Sequence, residues 1–334
     1  MALRIAIMGT GYIAHTHARA IRNTPGAELV AVANHRAESL AAFAEEFAVA
    51  RRYADVRSLL AAGGLDALVI CTPNYLHAPQ AIAALEAGVH VMVEKPMAMS
   101  VAEAEQMCQA AARSGARLMV AHCWRFDPEV RWLRQQVVAG RLGPIVRTKS
   151  YGVHAMWGPA GWFTQRPLAG GGALVDMGVH AIDTTRYLLG DPQPRSVYAA
   201  LSTRYGAYDV DDTGMLLITW ENGVVSYVES GWWQPHADAP EAGTQLYGRL
   251  GFGQTFPTRL VVAGEGGRAE VDPGFPFPRV GHCPQSMYDA QMQHFVESIR
   301  AGADPVPGGA HGLAVMRVVE AAYRSAATGK VEEI

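Results

Sequence analysis

The sequence predicts two domains of different class. The first is α/β with a doubly wound parallel sheet, and the second is α+β with a mostly antiparallel open sheet. Up to about residue 122, short apolar runs alternate with longer amphipathic segments, whereas β-branched and aromatic runs separated by turn residues follow Pro144. The length of 334 residues suits two domains of roughly 100–200 residues each. We therefore divide the chain into domains 1–122 and 123–334.

The first domain alternates predicted strands and helices. Near-continuous apolar runs are typical of strands buried on both faces of a parallel sheet, and they occur at Leu3–Met8, Leu29–Ala33, Ala67–Cys71, His90–Val93 and Leu118–Ala121. Apolar residues three and four apart predict amphipathic helices at Tyr12–Asn23, Arg36–Phe47, Leu76–Ala87 and Val101–Ser114. Each apolar run is thus followed by a helix that can cover the sheet, as a doubly wound fold requires.

The second domain contains β-rich segments separated by turns. Its predicted strands are Ile145–Val153, Ser196–Arg204, Gly214–Trp220, Gly223–Gly231, Leu260–Ala263 and Arg268–Val271. The segment Glu221-Asn222-Gly223-Val224 carries the Asn-Gly pair of a tight hairpin turn. Helices are predicted at Pro128–Ala139, Gly172–Leu189, Ser286–Ala301 and Ala310–Thr328.

Charge and cysteine content exclude several functional classes. The 28 basic and 31 acidic residues give a net charge of −3 without a block of like charge, so nucleic acid and membrane surfaces are not expected partners. The opening Met-Ala-Leu-Arg-Ile lacks the pattern of a signal peptide, and no apolar stretch reaches the roughly 20 residues that span a bilayer. Four scattered cysteines without a C-x-x-C pair predict a cytoplasmic protein with no metal site.

A glycine-rich turn after the first predicted strand indicates a dinucleotide site. The run Gly9-Thr10-Gly11-Tyr12-Ile13-Ala14 has the G-x-G-x-x-A spacing. In a Rossmann domain the first glycine permits the turn, the second allows backbone to approach a pyrophosphate, and the small third residue permits close helix packing. The pyrophosphate is expected at the N-terminus of the following helix, where free N–H groups and the helix dipole favour anions.

The end of the second predicted strand bears on the choice of cofactor. An NAD-specific site commonly places a carboxylate there, but this chain has Asn34-His35-Arg36. An amide and a guanidinium can bind a 2′-phosphate that a carboxylate would repel. NADP is therefore the favoured cofactor, with NAD the alternative.

Two further motifs follow the third and fourth predicted strands. They are Thr72-Pro73-Asn74-Tyr75-Leu76-His77 and Glu94-Lys95-Pro96. Ligands of such sheets bind at the carboxyl ends of the strands, so Thr72, Pro73, Asn74, His77, Glu94 and Lys95 are predicted to line the cofactor site. Lys95 is one of only three lysines among 28 basic residues, and unlike arginine a lysine can be tuned to exchange a proton.

These motifs, together with the later run Gly170-Gly171-Gly172-Ala-Leu-x-Asp176-x-Gly-x-His180-x-x-Asp183, resemble the Gfo/Idh/MocA family of NAD(P)-dependent oxidoreductases. The similarity extends from about residue 3 to residue 331, with the motifs in the expected order. The resemblance implies that Lys95 reaches the substrate hydroxyl beside the nicotinamide. It also implies that Asp176 and His180 are catalytic.

The residues themselves agree with that implication. Asp176 and His180 are spaced i, i+4, so on a helix they project from one face and can share a hydrogen bond. An imidazole oriented by a carboxylate suits proton transfer near neutral pH, since its ordinary pKa is about 6.5. We expect His180 to be the principal acid/base, Asp176 its orienting partner and Lys95 the cation at the same oxygen.

Substrate contacts are expected mainly from the second domain. Aromatic faces beside hydrogen-bonding groups suit a sugar ring. Besides Lys95, Asp176 and His180, the predicted substrate-binding residues are Trp124, Arg125, His154, Trp162 and Arg166, and further candidates are Trp157, His236 and Tyr288. Trp220, Trp232 and Trp233 are expected in the sheet core, and His15 and His17 are interpreted as packing or surface residues.

The favoured function is hydride transfer between a nicotinamide and a carbinol carbon of a sugar, polyol or related cyclic alcohol. Alternatives are a trans-dihydrodiol dehydrogenase, an NADPH-dependent reductase of an aldose or ketose, and an inactive sugar-sensing regulator of the same fold. A large open sheet needs its exposed face covered. A homodimer or homotetramer formed through the second domain's sheet is therefore expected.

Overall fold

A computed structural model describes residues 2–235, 241–264, 267–276, 279 and 283–334. The chain folds into two compact units. The first comprises Met1–Cys123 with Pro284–Leu313, and the second comprises Trp124–Cys283 with Ala314–Ile334. The functional division into 1–122 and 123–334 stays a prediction.

The first unit is built on a six-stranded parallel sheet. Its strands are β1 (Leu3–Met8), β2 (Ala27–Ala33), β3 (Arg51–Tyr53), β4 (Ala67–Ile70), β5 (His90–Val93) and β6 (Leu118–Val120). Their order is β3-β2-β1-β4-β5-β6, which reverses between β1 and β4 as in a dinucleotide-binding sheet. Ile5, Leu68 and Met92 are completely buried, because helices cover both faces of such a sheet. The predicted Rossmann class is confirmed.

Helices of the first unit lie between its strands. They are α1 (Tyr12–Asn23), α2 (Ala37–Glu46), α3 (Val56–Ala61), α4 (His77–Glu86), α5 (Val101–Ser114) and the later α9 (Gln285–Arg300). Hydrogen bonds tie α9 to α1, from Gln285 Nε2 to the carbonyl oxygen of Thr16 (3.0 Å) and from Asn23 Nδ2 to Asp289 Oδ2 (3.0 Å). These bonds place the segment after Pro284 in the first unit.

The second unit contains a nine-stranded sheet. Its strands are β7 (Ile145–Ala155), β8 (Pro194–Ser202), β9 (Thr213–Trp220), β10 (Val225–Gln234), β11 (Ala242–Gly248), β12 (Gly251–Gln254), β13 (Arg259–Gly264), β14 (Gly267–Val271) and β15 (Glu332–Glu333). The order is β14-β13-β12-β11-β7-β10-β9-β8-β15. Neighbouring strands are antiparallel except β7 and β10, which run parallel. The predicted mostly antiparallel sheet is confirmed.

The Asn-Gly hairpin joins β9 to β10 as predicted. Gly223 has φ +80°, a left-handed conformation that glycine adopts at low cost. The N–H of Trp220 donates to the carbonyl oxygen of Val224 at 3.0 Å, and Asn222 Oδ1 accepts from the Val224 N–H at 3.1 Å. The turn thereby fixes the register of the two strands.

Four α-helices complete the chain: α6 (Pro128–Val138), α7 (Arg166–Ala169), α8 (Val179–Leu189) and α10 (Gly309–Thr328). The continuous helix predicted over Gly172–Leu189 is wrong at its beginning, because a π-helical turn at Leu174–Gly178 precedes α8. Single π turns are frequent at functional sites. Among the described residues, no helix combines the length and apolarity needed to cross a membrane.

Candidate active site

The glycine loop after β1 has the geometry that a pyrophosphate needs. Gly9 has φ +101°, and a Cβ there would lie 2.6 Å from the carbonyl oxygen of Cys71. Gly11 is the N-cap of α1 without a side-chain cap, and a Cβ at Gly11 would meet nothing within 4 Å. The first turn of α1 also lacks an acidic residue. The start of α1 thus has open space beside Gly11 and no competing carboxylate in its first turn, so the loop fits a dinucleotide.

The segment 34–36 follows β2 beside this loop. Asn34 Nδ2 donates to Thr10 Oγ1 at 2.5 Å, which fixes the end of β2 against the glycine loop. His35 and Arg36 are exposed, and Arg36 is the N-cap of α2. Positions 34–36 contain no carboxylate that would repel the 2′-phosphate of NADP.

His77 lies between two main-chain carbonyl oxygens. Its Nδ1 lies 2.8 Å from the carbonyl oxygen of Pro96 and its Nε2 lies 2.8 Å from that of Thr72. The residue is 1% exposed, and burial lowers its pKa although both carbonyl contacts oppose that shift. Both ring nitrogens of His77 therefore face main-chain oxygens, and its contact with the cofactor stays a prediction.

Glu94 is engaged inside the first unit. Its Oε1 lies 2.7 Å from His17 Nε2, and its Oε2 accepts from the Lys95 N–H at 3.2 Å. Burial raises the pKa of Glu94, but the hydrogen bond and charge of His17 outweigh it and hold the pKa below its ordinary value. Glu94 is therefore an internal anion, and its cofactor contact stays a prediction.

His17 was interpreted from sequence as a packing or surface residue. It is fully buried and packs edge-to-face on Tyr288 with ring centroids 5.7 Å apart. The sequence did not reveal its pairing with Glu94, because the two residues are 77 positions apart. The peptide bond between Lys95 and Pro96 is cis.

In the second unit, the triple glycine packs against two distant residues. A Cβ on Gly171 would collide with Tyr323 Oη, and one on Gly172 would collide with the main chain of Asp211. Asp211 accepts from the N–H groups of Gly172 and Leu174, each at 2.9 Å, and from Tyr323 Oη at 2.6 Å. The carboxylate of Asp211 thus fixes the start of the π turn that carries the predicted catalytic Asp176.

Asp176 is surrounded by hydrogen-bond donors. Its Oδ2 lies 3.2 Å from His154 Nε2 and accepts from Trp232 Nε1 at 3.0 Å. On the other side of His154, Nδ1 lies 3.5 Å from Glu241 Oε2. Burial lowers the pKa of His154, but Asp176 and Glu241 raise it more, so its pKa is higher than usual. The two carboxylates therefore favour the protonated form of His154.

Two tryptophans complete this cluster. Trp157 stacks on His154 with centroids 3.7 Å apart and donates from Nε1 to Glu241 Oε1 at 2.5 Å. Trp232 is fully buried as expected for the sheet core, but its indole N–H also holds Asp176. A buried indole needs such an acceptor, and sequence alone could not say which one.

His180 lies on α8 and lines a small cavity of about 10 Å³. The ring centroids of His180 and Trp124 are 6.3 Å apart. Aromatic rings and hydroxyl groups both contribute to the cavity wall, which comprises Trp124, Tyr151, His180, Ala181, Thr184, Ala242, Gly243, Thr244, Thr255 and Phe256. Both kinds of group are those that a sugar contacts.

Arg125 is buried and paired with two carboxylates. It is 2% exposed, and its guanidinium forms two bonds of 2.7 Å with the carboxylate of Asp183. Asp191 accepts two more, at 2.7 and 3.1 Å, and the two carboxylates raise the pKa of Arg125 despite its burial. Arg125 therefore joins α8 to the loop after it, and its substrate contact stays a prediction.

The remaining predicted site residues are scattered around the second unit. Trp162 stacks on Phe163 with centroids 3.9 Å apart, and the guanidinium of Arg166 lies 5.4 Å from the ring centroid of Tyr323. Trp233, expected in the core, is 40% exposed with φ +62°. His236 lies outside the described residues. Within the described ranges, no group of three His, Cys, Asp or Glu side chains is placed to hold a metal ion.

Family models match most of the chain. Residues 3–122 match the NAD-binding Rossmann fold of an oxidoreductase family, and residues 130–270 match the Gfo/Idh/MocA C-terminal domain. Residues 277–334 match the C-terminal α/β domain of the oxidoreductase family. Each predicted domain thus has a counterpart in the same family.

Two curated relatives match over nearly their whole length. D-glucoside 3-dehydrogenase of Escherichia coli K12 is 29% identical over 349 residues, covering 99% of this chain and 97% of that protein. 1,5-anhydro-D-fructose reductase of Ensifer adhaerens is 31% identical over 321 residues, covering 94% of this chain and 93% of that protein. A solved structure of levoglucosan dehydrogenase in complex with NADH superposes with a TM-score of 0.90 at 27% identity, covering 100% of this chain and 99% of that one. The chain belongs to the Gfo/Idh/MocA family of oxidoreductases.

Proposed function

We propose that this protein is an NAD(P)-dependent dehydrogenase or reductase of a sugar, polyol or related cyclic alcohol. The observation that carries the proposal is the presence of Lys95, Asp176 and His180 at the matching positions of the family's motifs. A regulator that had lost catalysis would be expected to lack at least one of them. The named activities of the relatives, on a glucoside, an anhydro sugar and levoglucosan, support this class of substrate.

The chain's own residues supply binding and proton transfer. A bound nicotinamide accepts or donates a hydride at its C4 position. During oxidation, His180 takes the hydroxyl proton of the alcohol as the C–H bond gives up its hydride, and Lys95 hydrogen-bonds the same oxygen. In the reverse direction His180 returns that proton to the carbonyl oxygen.

In this proposal Asp176 orients His180 and supplies a negative charge to the site. His154, whose Nε2 lies 3.2 Å from Asp176 Oδ2, and the indole N–H of Trp232 at 3.0 Å both favour the ionised form of Asp176. An ionised Asp176 can in turn stabilise the imidazolium that forms when His180 accepts a proton. In this proposal His154 acts through Asp176, which is a role different from the predicted substrate contact.

Preference for NADP over NAD is part of the proposal. Arg36 is exposed at the start of α2, where it can pair with a 2′-phosphate. Asn34, tied to Thr10 at 2.5 Å, places an amide where a carboxylate would repel that phosphate. We also propose a cytoplasmic location, because the four cysteines form no disulfide bond within the described part of the chain.

We also propose that the protein is a homo-oligomer joined through the nine-stranded sheet. One face of this sheet exposes large apolar side chains. Tyr198 pairs with Leu217, and Leu217 pairs with Tyr227 across β8, β9 and β10, while Tyr198, Met215 and Leu217 are all exposed. A contiguous apolar patch of this kind is typical of an interaction surface.

A panel assay tests the enzymatic proposal. Aldoses, inositols and glycosides would each be incubated with NAD⁺ or NADP⁺ while the absorbance of the reduced nicotinamide is followed. We expect turnover of at least one sugar or polyol, faster with NADP⁺. Lys95→Ala should bind the reduced cofactor nearly as tightly as the wild type but turn over about 100-fold more slowly, the loss typical of general acid–base groups. Cofactor and sugar binding without any turnover would instead favour the regulator.

A further inference from the structure

We infer that His17 and His77 are positioning residues that hold the two sequence neighbours of Lys95 and so fix where its ammonium lies. The inference rests on the proposed role of Lys95. Sequence analysis placed His17 among packing or surface residues and His77 among cofactor ligands. The contacts of both histidines instead lead to the same three-residue segment, Glu94-Lys95-Pro96.

On the amino-terminal side of Lys95, the contact is between the side chains of His17 and Glu94. His17 projects from α1, the helix that follows the glycine loop, and its Nε2 lies 2.7 Å from Glu94 Oε1. The other carboxylate oxygen of Glu94 accepts from the Lys95 N–H at 3.2 Å. One carboxylate therefore connects α1 to the main chain of Lys95.

On the carboxyl-terminal side of Lys95, the contact is between the side chain of His77 and the main chain of Pro96. His77 begins α4, and its Nδ1 lies 2.8 Å from the carbonyl oxygen of Pro96. Its Nε2 lies 2.8 Å from the carbonyl oxygen of Thr72, at the end of β4. One imidazole thus joins the segment after β5 to the segment after the neighbouring strand.

Both contacts are shielded from water, which makes them stiff. His17 is fully buried, and Glu94 and His77 are also buried. Water cannot replace a lost bond in such surroundings, so removing either imidazole leaves a buried polar group unsatisfied. A displacement of about 1 Å at a reacting group can lower the rate about 100-fold, and this sensitivity gives the two histidines a function beyond stability.

A double-mutant cycle with Lys95→Ala tests the inference. His17→Gln and His77→Gln would each be made in the wild type and in Lys95→Ala, and kcat would be measured with the sugar that the panel identifies. In the wild-type background we expect kcat to fall about 10- to 100-fold, with the dissociation constant of the reduced cofactor unchanged. In the Lys95→Ala background we expect no further fall in kcat, because residues that act through Lys95 have no effect once it is absent.

A histidine at the opposite end of β5 provides the control. His90 Nδ1 accepts a main-chain bond from the Arg117 N–H at 2.8 Å, so His90→Gln removes a comparable imidazole from the same strand. We expect His90→Gln to leave kcat unchanged. His17→Leu, which cannot bond Glu94, should be slower than His17→Gln, whose amide can still donate.

The outcomes separate the two proposals. Lys95→Ala with wild-type kcat would overturn the proposed function itself. Lys95→Ala could instead lower kcat as expected while the histidine variants lower kcat equally in both backgrounds. That result would overturn only the inference drawn from His17 and His77. Should one histidine variant fail to fold, the cycle with the other decides between these results.

Discussion

His154 illustrates how neighbours that are distant in sequence set the pKa of a buried side chain. Asp176 is 22 positions away, and Glu241 directly precedes β11, which lies on the opposite side of β7 from β10. Sequence analysis identified His154 as polar and near an aromatic residue, and so as a candidate ligand. It could not identify the two carboxylates, because only the sheet brings them to one imidazole.

The raised pKa of His154 predicts how stability depends on pH. A group whose pKa is higher in the folded protein stabilises it fully below the unfolded value, about 6.5 for histidine, and loses that contribution as pH rises through the folded value. We therefore expect the free energy of unfolding to decrease as pH rises above neutral. His154→Gln should remove that part of the decrease.

Urea unfolding of the wild type and of His154→Gln over a series of pH values measures this difference. His90→Gln serves as control, because burial lowers the pKa of His90 and its contribution has the opposite sign. Identical pH profiles for the wild type and His154→Gln would show that the pairing with Asp176 and Glu241 does not stabilise the folded chain.

At the scale of elements, strands and helices with strong periodicity agree with prediction, and short or glycine-rich ones do not. Strands β1 and β5 and helices α1 and α5 have the predicted bounds. The sequence did not reveal β3 and α3, which have three and six residues, fewer than a periodic pattern requires. Strands β11 and β12 each contain two glycines, which are depleted in strands.

The sequence did not reveal the π turn at Leu174–Gly178 for a different reason from the one that applies to the short and glycine-rich elements. Gly172 and Leu174 donate to a carboxylate 39 and 37 positions away in sequence. These bonds satisfy N–H groups that have no acceptor within the helix at its start, and the local periodicity over Gly172–Leu189 cannot reveal them. Long-range hydrogen bonds, rather than propensity, decide how this element begins.

Variants of the glycine loop can separate its effect on the stability of the fold from its effect on cofactor binding. Gly11→Ala adds a methyl group that meets nothing within 4 Å, so we expect little change in the free energy of unfolding. The same methyl group would occupy the space through which a pyrophosphate approaches the backbone. Binding of the reduced cofactor, measured by its fluorescence, should therefore weaken at least about tenfold, or about 1.4 kcal/mol.

Two further glycine variants serve as comparisons. Gly9→Ala combines φ +101° with a Cβ only 2.6 Å from the Cys71 carbonyl oxygen, whereas Gly88→Ala has φ +75° and no neighbour within 4 Å. Left-handed strain alone costs about 1–3 kcal/mol, so Gly9→Ala should be less stable than Gly88→Ala. Wild-type cofactor affinity in Gly11→Ala would argue against a pyrophosphate at this loop.

At the scale of the whole molecule, the order of motifs along the chain was sufficient to predict the domain classes and the family. The pairing of the strands was not predictable in the same way. Strands β7 and β10 lie side by side and parallel although two other strands separate them in sequence. Nothing in their local composition specifies a partner so far along the chain.

The exposed face of the nine-stranded sheet predicts self-association. Leu217→Arg places a charge between Tyr198 and Tyr227, and burying that charge in an interface would cost several kcal/mol. We expect sedimentation velocity to show an oligomer for the wild type and a smaller species for Leu217→Arg. Val138→Arg, at an exposed apolar position on α6, should sediment like the wild type, and a monomeric wild type would refute the proposed interface.

Isotope transfer tests most directly whether the protein moves a hydride. The preferred sugar or polyol of the panel would be prepared with deuterium on its carbinol carbon, and the reduced cofactor would be examined by nuclear magnetic resonance after a single turnover. We predict that the deuterium is found at C4 of the nicotinamide and that Lys95→Ala transfers it to the same position more slowly. Deuterium released to water, or a reduced cofactor without the label, would contradict hydride transfer from the carbinol carbon.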